Sequence, residues 1–281
     1  MAAELSQITG SPGSTADDRS MFNLHIGIPG IIPDLLHSIA QTGILKADNA
    51  PQVLPRKLWQ EQFRSLVNAR RTTAAFNVTD RRSAEVTIGE LSARGPVAAS
   101  QHALLGLPED CFFKNKVLPY TEARIGQISE IFAAVPLTFH LTIRSQFDYL
   151  RLAMNRRPED RALTEPRIIP SWAQLVHRIK ASAPDSQVVV WDFEQPEKVA
   201  LAFLICLLDT RDGRLIETLA EYLGMTLKRP EMPLNNHEIP GIAPELADRL
   251  DVQYELDLKA LDQIDGVSLI LPENVPEEFH F

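Results

Sequence analysis

Five short, mostly apolar runs rich in β-branched residues recur along the chain: Phe22–Ile28, Pro96–Ala99, Pro136–Ile143, Gln187–Phe193 and Val267–Leu271. They read as strands covered on both faces rather than as alternating half-buried ones, the mark of a parallel sheet. The last run also fits an edge element. Patterns of helical period lie between them, at Pro33–Gln41, Leu58–Arg70, Tyr120–Ala134, Gln146–Arg156, Ser171–Ala181, Pro196–Leu208 and Arg214–Leu223. Several open on Pro, Ser or Asp, residues that suit a helix start. Strands alternating with helices predict an α/β fold: a three-layer sandwich with a mostly parallel sheet and helices on both faces. The Pro-rich stretch Arg229–Pro240 interrupts the pattern, and Pro244–Leu261 is predicted as a terminal helical pair.

Composition narrows this picture. With 281 residues, 44% hydrophobic and 23% charged, the chain can bury one large core, so residues 21–281 are expected to form a single domain. Residues 1–20 carry no apolar run and are expected to be a disordered leader rather than a signal peptide. The longest apolar stretch, Val199–Leu208, is too short to span a bilayer, so membrane insertion is not expected. Cys111 and Cys206 stand apart in apolar surroundings, which fits a reducing, cytoplasmic compartment. The net charge is −9, and residues 231–281 hold twelve acids against Arg249 and Lys259, which argues against a nucleic-acid partner. Residues 144–180 differ, with eight basic residues against four acids.

The segment Phe22–Ile39, FNLHIGIPGIIPDLLHSI, runs from an apolar strand through Gly27, Pro29 and Gly30 into a helix. In such a turn, backbone N–H groups and the positive helix end can cradle a phosphate, completed by a Lys and a Ser or Thr. No Lys, Ser or Thr occurs between Gly27 and Leu36.

On these residues the chain resembles the bacterial PAPS-dependent sulfotransferases, whose first strand and P-loop-like turn read roughly HIGxPKTGTTS. His25–Ile26–Gly27–Ile28–Pro29 fits that opening without a gap. The family's Lys then falls on Gly30, its Thr-Gly-Thr on Ile31, Ile32 and Pro33, and its second Thr on Asp34. Pro136–Met154 is similar to the family's strand that ends in an Arg for the nucleotide 3′-phosphate; Arg144 takes that place, while the partner Ser position falls on Leu152. Weaker similarity covers Ser100–Gln101–His102, Gln187–Glu194 and the tail at Pro240–Pro272, so that the resemblance spans about residues 22–272.

The resemblance implies sulfo transfer from PAPS to a hydroxyl or amine, with Gly27, Pro29, Gly30 and Arg144 as the remnant of the cofactor site. Ile31 and Ile32 resist left-handed conformations, Pro33 has no N–H, and Asp34 adds negative charge. Charge-assisted hydrogen bonds contribute about 1.5–3 kcal/mol each, so these losses amount to on the order of 5–8 kcal/mol. The expectation is therefore a catalytically degenerate relative that acts by binding and retains no cofactor, with PAPS or its product PAP bound only if the site still works. One alternative is an active sulfotransferase with a different donor grip and His102 as base. The other is a protein-interaction module that presents the acidic C-terminal region.

The basic segment offers Arg151, Arg156 and Arg157 to an anionic saccharide or small-molecule acceptor, or, as a solvated face, to the acidic tail. His25 is expected to be a hydrogen-bonded core histidine, and Trp59, Trp172 and Trp191 are expected to be packing residues. No spacing suits a metal site, and no Gly-x-Ser-x-Gly elbow occurs.

Overall fold

Six strands form one sheet in a computed structural model that describes residues 21–27, 35–45, 51–55, 57–59, 78–101, 104–106, 118–156, 169–227 and 244–281. In chain order the strands are β1 (Phe22–His25), β2 (Gln52–Val53), β3 (Val97–Ser100), β4 (Leu137–Ile143), β5 (Gln187–Asp192) and β6 (Val267–Ile270). Across the sheet they run β2-β3-β1-β4-β5-β6, and every pairing is parallel. Helices follow: α1 (Leu35–Thr42), α2 (Val78–Ser92), α3 (Thr121–Ile131), α4 (Gln146–Arg156), α5 (Trp172–Ser182), α6 (Pro196–Leu208), α7 (Gly213–Thr226) and α8 (Pro244–Leu261).

Side chains alternate across each strand, so the contacts of β1 define the layers. Phe22 packs edge-on against Phe132, just past α3, whereas His25, on the opposite face, packs against Phe203 of α6. The sheet is therefore covered on both sides, as the hydrophobic runs predict. α6 is apolar nearly all round because it lies between the sheet and α7, with almost every residue from Val199 to Leu208 buried. On the other face α3 packs on α5, and α8 packs on α4 and α5. β4 is buried along its whole length, as a central strand must be.

All five predicted strands are present, and β6 is an edge strand. β2 was not predicted, since two residues on a sheet edge leave no periodic signal. Nor was α2, whose sequence VTDRRSAEVTIGELS buries few apolar side chains, Ala84 and Ile88 among them. The predicted terminal helical pair is corrected to one helix: α8 runs unbroken for 18 residues because Leu246, Leu250, Tyr254 and Leu261 keep one continuous buried stripe. The helix expected at Leu58–Arg70, the leader at 1–20 and the Pro-rich stretch 229–240 lie mostly or wholly outside the described residues. No helix among the described residues is long and apolar enough to cross a membrane.

Candidate functional site

β1 passes the chain toward β2 on one side of the sheet, and its neighbour β4 passes it toward β5 on the other. Their carboxyl ends thus flank the point where strand order reverses, which is where open parallel sheets form a ligand crevice. The first strand and the Arg-bearing strand are parallel neighbours, with Phe22 opposite Leu137 and His25 opposite His140.

The floor of this crevice carries polar side chains in phase on adjacent strands. His25 Nδ1 lies 3.0 Å from Ser100 Oγ on β3, and its Nε2 lies 3.1 Å from Thr142 Oγ1 on β4. One turn of the pleat deeper, the Trp191 indole donates to His140 Nδ1 at 3.2 Å, and His140 Nε2 meets Asn23 Oδ1 at 3.3 Å. Because an indole only donates, His140 Nδ1 must accept and its proton resides on Nε2. Complete burial lowers the His140 pKa to about 3, so this ring is neutral. Phe203 of α6 covers the group, making edge-on contacts with His25, His140 and Trp191. Gly27 closes the end of β1: a Cβ there would collide with His25 Nε2 and Thr142 Oγ1.

The β4–β5 side of the crevice is lined by charge. Arg144 is buried, 8% exposed, and its Nε donates to the Phe193 carbonyl at 2.9 Å, while its own carbonyl accepts from Trp172 Nε1 at 2.8 Å. Ser145 caps α4 by accepting from the Asp148 N–H, and the Ser145 N–H donates to Glu194 Oε1 at 2.6 Å. Asp192 accepts from the Glu194 N–H and from the Tyr254 hydroxyl at 2.8 Å. Burial raises the pKa of both Asp192 and Glu194, with donated hydrogen bonds and the Arg144 charge pulling the other way. Tyr254 is raised too, by burial first and then by Asp192.

Behind this lies a structural hub. Asp257 of α8, 2% exposed, accepts from Gln146 Nε2 at 2.6 Å, Ser171 Oγ at 2.7 Å, the Trp172 N–H at 2.6 Å and Gln253 Nε2 at 3.0 Å. It joins α8 to the first turns of α4 and α5.

Gly27, two residues past β1, and Arg144, just past β4, follow the carboxyl ends of two paired strands. Pro29, Gly30, His102 and Arg157 lie outside the described residues, as do residues 31–34. Arg151 pairs with Asp148 at 3.2 Å on α4 itself, and Arg156 ends that helix, with its side chain outside what is described. Among the described residues no His, Cys, Asp and Glu side chains are clustered to hold a metal ion. Residue-by-residue reading missed Asn23, His140, Asp192, Glu194 and Asp257. Their signals were present: polar residues in phase on otherwise apolar strands, two acids just past a buried strand, and an acid at the i+3 position after Tyr254 in a helix's buried stripe. No family model matches this chain, and no curated protein is similar to it.

Proposed function

We propose that this chain is a sulfotransferase-like protein that no longer transfers a sulfo group and acts by binding instead. One observation carries the reading: at the carboxyl end of β4, two donors that would meet a nucleotide phosphate, the Arg144 Nε–H and the Ser145 backbone N–H, already serve the chain's own groups. Arg144 Nε is engaged by the Phe193 carbonyl and the Ser145 N–H by the Glu194 carboxylate. Glu194 and Asp192 also set two acids beside these donors. The crevice itself supports descent from a nucleotide-binding arrangement, because β1 and β4 meet at the switch point and Gly27 leaves no room for a side chain.

The test is ligand-dependent thermal stability. A ligand that binds only the native state at 100 times its Kd stabilises it by about 2.7 kcal/mol. We expect neither PAPS nor adenosine 3′,5′-bisphosphate at millimolar concentration to shift the Tm. A saturable micromolar Kd by calorimetry for either nucleotide would overturn the reading in favour of an active transferase that grips its donor differently.

A further inference from the structure

A cavity of about 660 Å³ opens between α1 and the β2–β3 edge of the sheet, beside the crevice rather than over it. Voids inside a packed domain barely exceed a water molecule, whereas ligand clefts span roughly 300–1,000 Å³, and this one is of the second kind. Its wall is mostly apolar: Leu36 and Ala40 come from α1, Leu54 and Trp59 from the segment after β2. Leu54 and Trp59 are themselves buried. Such a wall gives ordered water few partners.

Besides His37, Gln41 and Lys57, the described wall includes two polar residues of the sheet, Gln52 and Ser100. Gln52 spends its amide N–H on the Leu91 carbonyl at 3.1 Å, which leaves its side-chain carbonyl oxygen to accept. Ser100 shares a hydrogen bond with His25 Nδ1, and its oxygen keeps a lone pair whichever of the two donates. Among the described lining residues the ionisable ones are His37, half-buried, and Lys57, exposed, and the buried ones, Leu36, Leu54, Trp59 and Ala99, carry no charge. Two acceptors on the strand side of a mostly apolar wall favour a particular chemistry. We infer that this cavity is a binding site for an uncharged, largely apolar small molecule that carries one hydrogen-bond donor at its end. The inference is independent of the sulfotransferase reading, since neither Gly27 nor Arg144 is among the described lining residues.

N-phenyl-1-naphthylamine, an uncharged apolar fluorophore with a single N–H, is a suitable probe. Titrated into the full chain, it is expected to give saturable fluorescence enhancement, with energy transfer from the tryptophans that falls in Trp59→Phe. Ala40 is exposed at the cavity wall on α1, so Ala40→Phe fills the space from outside without entering the core. It should weaken binding by at least about tenfold at an unchanged Tm, equivalent to roughly 1.4 kcal/mol. Ser100→Ala should weaken binding less, and a probe of similar size without the N–H should lose the distinction between Ser100→Ala and the unsubstituted chain. Non-saturable enhancement, or equal binding in Ala40→Phe, would show adsorption to the surface and overturn the assignment. Should Ala40→Phe lower the Tm, Ala40→Leu, a smaller intrusion, provides the same comparison.

Discussion

At Gly27 the backbone of β1 passes directly over the His25–Thr142 contact, and the position tolerates no side chain for that reason rather than for any unusual φ. Gly27→Ala is therefore expected to destabilise the domain by about 1–3 kcal/mol, the usual range for forcing a methyl group into a packed site. The substitution should also shift the His25 ring resonances in NMR spectra, because the imidazole must move. A variant with unchanged urea midpoint and unchanged His25 resonances would show that the turn has free space. Much at this scale was readable: His25 was expected to be a hydrogen-bonded core residue and is bonded at both nitrogens. What could not be read was the pairing, since Asn23 with His140 and His25 with Thr142 are diagonal neighbours across strands 117 residues apart. Only register reveals them.

Among the elements, α8 is held both by its apolar stripe and by one carboxylate. Asp257 accepts four hydrogen bonds, three of them from residues at the heads of α4 and α5. Asp257→Ala leaves several buried donors without an acceptor, each costing about 1–3 kcal/mol. A total loss of about 3 kcal/mol or more is expected in equilibrium urea unfolding. Lys259→Ala, on the exposed side of the same helix, should change stability by less than about 0.5 kcal/mol. Equal effects from the two substitutions would refute the hub. Most helix bounds were legible because apolar periodicity and start signals agree; α4 and α6 match their predicted limits. α2 was not, because tertiary contact compensates a weak pattern. Charge counting places Asp257 only within the acidic C-terminal region, since it ignores helical phase.

For the molecule as a whole, burial shifts its titratable groups in opposing directions. The His140 pKa is lowered from 6.5 to about 3 on folding, so its contribution is complete above pH 6.5 and is lost as pH falls toward 3. Asp192, Glu194 and Asp209 are raised, chiefly by burial, so their contributions are present at low pH and are lost as pH rises through their folded values. The two sets partly offset each other in mildly acidic solution. His140→Gln keeps an acceptor for Trp191 and a donor for Asn23 without a titrating ring. The stability difference between the unsubstituted chain and this variant should be flat above pH 7. Below pH 6.5 it should move against the unsubstituted chain by about 1.4 kcal/mol per pH unit. Parallel stability curves across pH 4–8 would show that His140 is solvated. The layered, parallel architecture was legible from the runs alone, whereas strand order was not, because neighbours in the sheet come from distant parts of the chain.

That strand order also sets a timetable. β1 has as its two neighbours β3 and β4, both made after it, so Phe22 waits for Val97 on one side and Leu137 on the other. The second partner is synthesised 115 residues later, which at about 5–20 residues per second leaves a central strand without its full pairing for roughly 6–23 s on the ribosome. During that interval the nascent chain presents Phe22, Leu24 and Ile26, all fully buried in the finished molecule, to whatever chaperone or neighbouring chain is at hand.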